Sequence, residues 1–225
     1  MQKKISNLTI VIYTLFIILI STLMTVLYYQ VFVFESFKNN NESQQSFFEF
    51  SEEKVLLSPI KEDNSIIEVM SYGCYYCGLN NDAIMTFANQ LPEGENFSAI
   101  HLAKKYTPLA AYSPIFATLE EMNLESGLRA DIFNAVLNEN IDLKNKDELL
   151  KWLKQHNVDT EKYLEISQTP AISEKLEYME SIADYYNITA TPAFIINKKY
   201  VVYQDRDFPE FTKYMAELLA QSKQE

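Results

Sequence analysis

Two cysteines, and only two, occur in the 225 residues, in the run Gly73-Cys74-Tyr75-Tyr76-Cys77-Gly78 between two of the chain's four glycines. The segment Ser65-Ile66-Ile67-Glu68-Val69-Met70-Ser71-Tyr72 leads into it and reads as a buried strand. Leu79 to Leu91 leads out and reads as an amphipathic helix, with Ile84, Phe87, Ala88 and Leu91 on one face and Pro92 and Gly94 closing it. A thiol exchanges disulfides only as thiolate, and an unperturbed cysteine is mostly protonated near neutral pH. A position just before a helix supplies free backbone N–H groups and the positive end of the helix dipole, and both favour the anion. Cys77 falls one turn later on the same side, where a disulfide can close. The expectation is an exposed, nucleophilic Cys74 and a shielded, resolving Cys77. Competing readings are half of a four-cysteine zinc site and a pair of inert core thiols. Half a zinc site needs a second ligand pair, and His101 and His156 are single and far apart in sequence.

Composition bounds what surrounds this motif. With 48% hydrophobic and 22% charged residues the chain is too hydrophobic for disorder, and its length suits one compact domain. A formal charge of -12 argues against nucleic acid and against docking on anionic lipid, leaving a solvated acidic surface. An even cysteine pair at redox spacing, with no bystander thiol, suits an exported protein that meets oxidants.

At the N-terminus, Lys3 and Lys4 precede an apolar run from Leu8 to Tyr29, extending to Phe34, with no charge before Glu35. A bilayer core takes about 20 helical residues, whereas a cleaved signal has a core of roughly 7–15 followed by a small-residue site. The exit Tyr28-Tyr29-Gln30-Val31-Phe32 offers no such site and resembles an interfacial aromatic band. The expected organisation is a cytoplasmic N-terminus over 1–7, a transmembrane anchor over 8–34, a polar, flexible tether over 35–46 and a folded domain over 47–225.

Within that domain Val55-Leu56-Leu57, bounded by Pro59, reads as an edge strand, and Phe97 to Leu102 as a third strand after the helix. Strand, helix and strand at this length imply a right-handed crossover and parallel pairing. From about 108 to 186 the pattern is helical. One helix opens near Asn145 with Leu149, Trp152 and Leu153 on one face, and a later one, capped by Ser173, carries Leu176, Met179, Ala183 and Tyr186 as a core stripe. Ile188 to Asn197 and Tyr200 to Tyr203 read as a hairpin, and the chain ends in a helix with Pro209 in its first turn and Phe211, Met215 and Leu218 on one face. Pro192 stands immediately before an apolar strand, where a proline is tolerated only at the strand's start. Its place after the helical block and before the hairpin favours a cis bond over the usual trans one. Glu68 interrupts an apolar strand, and alternation places it with Met70 and Tyr72 on one face. It is either a partly exposed strand residue or a buried acid of raised pKa under Cys74 and Cys77, able to relay protons to Cys77.

Glu68 through Gly78, the helical block after the third strand, Thr191-Pro192 before Ala193-Phe194-Ile195-Ile196-Asn197-Lys198 and the final helix together resemble the DsbA-type thiol-disulfide oxidoreductases of the thioredoxin-fold superfamily. The resemblance covers roughly Val55 to the C-terminus. It implies an α/β, thioredoxin-like fold with an inserted helical block, here preceded by one transmembrane helix. It implies Cys74 as the attacking thiol, Cys77 as the resolving one, Pro192 as a cis-proline facing the disulfide, and Glu68 as the buried acid. Thr191 would offer its backbone to extended substrate, beside Tyr75 and Tyr76. The redox-active Cys74–Cys77 disulfide would serve without a bound cofactor or metal.

Two departures stand out. Strongly oxidising members carry Pro-His between the cysteines where this chain has Tyr75-Tyr76, which removes a partner of the thiolate and leaves a tyrosine hydroxyl as a substitute donor. The anchor replaces a cleaved signal. The resulting expectation is a monomeric protein disulfide oxidase, single-pass in the inner (cytoplasmic) membrane with its catalytic domain on the periplasmic side. It would act on exported cysteine-containing proteins and be reoxidised by a membrane quinone-linked partner of the DsbB kind. The alternatives are a disulfide reductase or isomerase, and a non-enzymatic module holding a metal or a client protein.

Overall fold

The computed structural model describes residues 7–28 and 46–223. Lys3 and Lys4, the end of the expected anchor (29–34) and the expected tether up to residue 45 lie outside the described residues. Asn7–Tyr28 is a single helix, α1, with apolar side chains exposed from Val11 to Val26. Among the described residues no helix is long and apolar enough to cross a membrane.

From Ser46 the chain forms a second compact unit. Its elements are β1 (Phe47–Glu49), α2 (Glu52–Leu56), β2 (Ser65–Met70), α3 (Tyr75–Ala88) and β3 (Asn96–His101). A 3-10 turn at Pro108–Tyr112 then opens the helical block, α4 (Ser113–Glu121), α5 (Glu125–Leu137), α6 (Lys146–Gln155), α7 (Thr160–Ile166) and α8 (Pro170–Tyr185). The chain finishes with β4 (Ala193–Ile196), β5 (Tyr200–Tyr203) and α9 (Phe208–Gln221). The sheet order is β1-β5-β4-β2-β3. β2 and β3 pair in parallel, as the crossover requires, and the other neighbours are antiparallel.

The central strands are buried along their whole length because both faces are covered. In β4 alternation sends Ala193 and Ile195 into the larger core, shared with the helical block, and Phe194 and Ile196 into a second core, shared with α9 and Ile84 of α3. The β4–β5 turn is made by Asn197 and Lys198, both left-handed at φ 46° and 62°, the backbone that a tight hairpin needs.

Three elements differ from the sequence reading. Val55-Leu56-Leu57 is not an edge strand: the segment is the short helix α2, with Glu52 and Glu53 placed to complement its dipole and Leu56 and Leu57 exposed. The edge is taken by β1 instead, where Phe47 lies 5.6 Å from the Tyr200 ring. α3 starts at Tyr75 rather than Leu79 and ends at Ala88, because Cys74 itself caps it. α8 starts at Pro170, whose fixed φ suits a first turn, so Ser173 lies inside the helix and does not cap it. Asn145 does cap α6, accepting N–H bonds from Asp147 and Glu148.

With only four glycines in the chain, helix ends fall to asparagine. Asn123, Asn157 and Asn187 follow the caps of α4, α6 and α8 at φ 57°, 60° and 51°. In each case the next residue, Leu124, Val158 or Ile188, donates its N–H back to the last turn, to Leu119, Leu153 or Ala183. This is the six-to-one closure of a Schellman motif, with an apolar residue anchoring it.

Glycine is required where α3 meets α5. A Cβ on Gly78 would stand 2.6 Å from Leu137 Cδ1 and 3.1 Å from Phe133 Cδ1, so its absence lets the helical block close on α3. Gly127 in α5 has open space instead. Urea unfolding should therefore separate the two. Gly78→Val is expected to cost about 1–3 kcal/mol by overpacking, while Gly127→Ala gains about 0.5–1 kcal/mol of helix propensity. Equal effects at the two sites would contradict the close approach.

Candidate active site

The chain enters the motif through a tight turn in which the Cys74 N–H donates to the Ser71 carbonyl (2.9 Å) and Ser71 Oγ ties the turn to the Leu109 carbonyl (2.7 Å). Behind it, the buried His101 ring accepts the Tyr72 N–H at Nε2 (3.1 Å) while Nδ1 faces the Leu102 carbonyl at 2.9 Å. The ring must therefore be neutral with its proton on Nδ1, and burial holds its pKa down at about 4. His101, single in sequence and too far along the chain from His156 to complete a zinc site with the cysteines, is a structural bracket for the strand end. Among the described residues no group of His, Cys, Asp or Glu could hold a metal ion.

Cys74 occupies the N-cap of α3 in an extended conformation, and its sulfur accepts the Cys77 N–H at 3.2 Å. Both thiols are free. The Cys74 pKa is pulled down to about 6, first by the hydrogen bond with the Cys77 thiol, then by Thr191 and by the backbone N–H groups of Cys77 and Tyr76, against the opposing effect of burial. Cys77 moves the other way. Burial pushes its thiol well up, and the neighbouring Cys74 and Glu68 charges add to this. One sulfur is poised as anion and the other is held as thiol. The expectation of an exposed Cys74 is corrected: it is only 6% accessible, because its sulfur is tucked between the helix head and the Thr191 carbonyl (3.3 Å). Among the described residues neither sulfur partner is a tyrosine hydroxyl. Tyr75 and Tyr76 point outward, more than half exposed, with their rings 5.5 Å apart.

The Thr191-Pro192 bond is cis, and it presents the Thr191 carbonyl to Cys74 from the opposite side of the site. Glu68 is 3% exposed, which decides between its two readings in favour of the buried acid. Burial lifts its pKa to about 7, with Arg129 pulling it back and Glu125 and Cys74 pushing it further up. Tyr72, on the same face as the alternation required, reaches Glu125.

Sequence reasoning missed Arg129 and Glu125, which come from α5 and meet Glu68 beneath the motif. Nη1 of Arg129 lies 3.9 Å from Glu68 Oε2, and Nη2 lies 2.6 Å from Glu125 Oε2. Glu125 and Arg129 stand four apart, which in sequence looks like an ordinary surface pair. Both are buried. Beside the motif a cleft of about 360 Å³ runs between α3 and α5, with Tyr75, Leu79, Phe133 and Leu137 among its walls.

A sheet of this order, with a cysteine pair at the head of a helix facing a cis-proline, defines a thioredoxin-fold protein with a candidate dithiol site. Residues 96–216 match the family described as DSBA-like thioredoxin domain, and the chain belongs to that family. The matched segment contains the cis-proline and begins after the cysteines, and Cys74 meets it through the 3.3 Å contact with the Thr191 carbonyl. The chain is 27% identical to the thiol:disulfide interchange protein DsbA of Pseudomonas aeruginosa over 136 residues, 60% of this chain and 64% of that protein. The match thus spans less than two thirds of that relative. The crystal structure of Pseudomonas aeruginosa DsbA superposes with a TM-score of 0.70 at 23% identity, over 79% of this chain and 92% of that one. The oxidoreductase NmDsbA1 from N. meningitidis gives 0.66 at 19%, over 80% and 93%.

Alkylation of the reduced protein should report the difference between the thiols. Iodoacetamide is expected to modify Cys74 with a midpoint near pH 6, the rate falling below it as the thiolate is protonated, while Cys77 stays unmodified through neutral pH. A Cys74 midpoint at 8 or above would contradict the helix-head stabilisation.

Proposed function

We propose that the protein is a thiol-disulfide oxidoreductase of the exported compartment, acting as a disulfide oxidase through Cys74 and Cys77. The observation that carries this reading is the Cys74 sulfur at the head of α3, accepting the Cys77 N–H at 3.2 Å. A stabilised Cys74 thiolate favours the reduced pair, and stabilising the reduced pair makes the disulfide a better oxidant. A substrate thiolate attacks Cys74 of the oxidised pair, and Cys77 departs with the electrons of the broken bond. A second substrate thiolate then attacks the mixed disulfide on its substrate sulfur and releases Cys74 as thiolate. Glu68 exchanges the proton of Cys77. The Thr191 backbone next to Pro192 receives extended substrate, and Tyr75 and Tyr76 form the exposed rim beside it. The disulfide itself is the redox group, and no further cofactor enters the cycle.

Reoxidation would fall to a membrane quinone-linked partner of the DsbB kind. The working unit is a monomer held at the inner membrane by its N-terminal segment. Support for anchoring comes from the sequence: Lys3 and Lys4 precede a charge-free run from Leu8 to Tyr29, and Asn7–Tyr28 is one continuous helix. Reductase or isomerase action is favoured by one specific feature. Among the described residues the Tyr75 and Tyr76 hydroxyls supply no hydrogen bond to Cys74, so its thiolate depends on the helix-head N–H groups, Cys77 and Thr191.

Trapping tests the oxidoreductase reading directly. A Cys77→Ala variant should accumulate mixed disulfides with exported proteins in cells, and a Cys74→Ala variant should accumulate none. An oxidised Cys74–Cys77 pair at steady state supports the oxidase, and a reduced pair the reductase. A protein that neither oxidises nor reduces a test peptide disulfide, yet retains a metal, is the outcome that sinks the enzymatic reading.

A further inference from the structure

We infer that Arg129, carried into the site by the helical block and clamped by Glu125 and Tyr72, is a positioning residue that holds Glu68 ready to exchange a proton with Cys77. This rests on the oxidoreductase reading above and adds to it a group from outside the strand and helix that bear the motif. Arg129 commits Nε and Nη2 to the Glu125 carboxylate, at 2.8 and 3.2 Å for Nε and 2.6 Å for Nη2. Tyr72 donates its hydroxyl to the same carboxylate at 2.8 Å. The fork is thereby fixed, and Nη1 is left facing Glu68 Oε2 at 3.9 Å with Met85 Sδ at 3.6 Å. All four polar residues are buried.

Such a group of two acids and one cation is balanced only when one acid is protonated, since an uncompensated buried charge is costly. Glu125 accepts the bidentate Arg129 bond and the tyrosine hydroxyl, which commits its oxygens as acceptors. The labile proton belongs to Glu68. The groups that face Glu68 are few. β3 and β4 present Ala99 and Phe194 in register, neither titratable. α5 presents Arg129 and Glu125, and the head of α3 presents Cys74 and Cys77. Arg129 is the one cation among them and alone favours the carboxylate.

The proton transfer balances in both directions. When a substrate thiolate bonds to Cys74 and the Cys74–Cys77 bond breaks, the buried Cys77 sulfur leaves with the electron pair and takes the Glu68 proton, and Glu68 is reprotonated from solvent. In the reverse step the Glu68 carboxylate removes the Cys77 proton, Cys77 bonds to Cys74, and the substrate sulfur departs with the electrons of the broken mixed disulfide.

The test uses the reduced full-length protein and an aromatic disulfide, 5,5′-dithiobis(2-nitrobenzoate), in stopped flow. The first release of thionitrobenzoate reports attack by Cys74, and the second reports closure by Cys77. Arg129→Met should raise the pH midpoint of the second phase by about one unit and slow it roughly fivefold at pH 7, with the first phase near its original midpoint. Glu125→Gln leaves Arg129 uncompensated beside Glu68 and should lower the second midpoint. A merely structural role predicts no such opposite displacement. Should Arg129→Met fail to fold by circular dichroism, the neutral pair Glu125→Gln with Arg129→Met takes its place and should also raise the midpoint. Second-phase midpoints that stay put, or move the same way in the charge-removing and charge-exposing variants, overturn the inference. A wild-type protein showing neither phase overturns the oxidoreductase reading instead.

Discussion

The hydrogen bond from the Cys77 N–H to the Cys74 sulfur does two jobs that are usually separate. A helix begins with N–H groups that have no partner inside it, and an oxygen-bearing side chain commonly takes one. Here a thiol does so, and the bond that starts α3 also stabilises a thiolate. The remainder of the site follows from that placement. One turn of helix carries Cys77 inward, where burial keeps it protonated. The loop that brings Thr191 to 3.3 Å from the sulfur closes the other side. Gly78 then lets α5 approach closely, and α5 carries the arginine and glutamate that face the strand acid.

What can be read from the sequence follows from how local each constraint is. Parallel β2 and β3, the helix opening near Asn145 and the terminal hairpin rest on short-range pattern, and the structure agrees with each. Val55 to Leu57 defeats a local reading because three apolar residues fit either period, and the neighbouring Glu52 and Glu53 settle the matter for a helix. Asn123, Asn157 and Asn187 do carry a readable signal: an asparagine followed by an apolar residue after a helical stripe, in a glycine-poor chain. Burial of Glu68 is undecidable locally, since it depends on what covers the strand. Arg129 and Glu125 are further out of reach. Their significance arises only when α5, far downstream in the chain, folds back over β2. Such a contact is non-local, and no local period records it.

The two shifted acids of the site oppose one another as pH changes. Reduced Cys74 has a folded pKa of about 6 against an ordinary 9.0. Its contribution to stability is therefore full above the unfolded value and is lost as pH falls through 6. Glu68 is raised from 4.5 to about 7, so its folded form is favoured at low pH and the advantage is lost as pH rises through 7. Cys77, raised far above the ordinary thiol value, favours the fold until pH passes the unfolded thiol pKa. Between pH 6 and 7 the gain at Cys74 offsets the loss at Glu68, and the reduced domain stays nearly level there.

Oxidation removes both thiols from this balance and leaves Glu68 alone. The oxidised domain then loses stability with rising pH where the reduced one is compensated. The stability gap between the two redox states therefore widens from about pH 6 upward, the range over which the Cys74 thiolate exists in the fold but not in the unfolded chain. That gap is the structural counterpart of oxidising power, because whatever stabilises the reduced fold drives the disulfide toward reduction. Glu68 has a different consequence. Burying an acid whose pKa is raised to about 7 costs stability once pH exceeds the ordinary carboxylate value, a cost that protein folding alone gives no reason to retain. The proton exchange proposed between Glu68 and Cys77, with a clamped arginine facing the acid, would supply that reason.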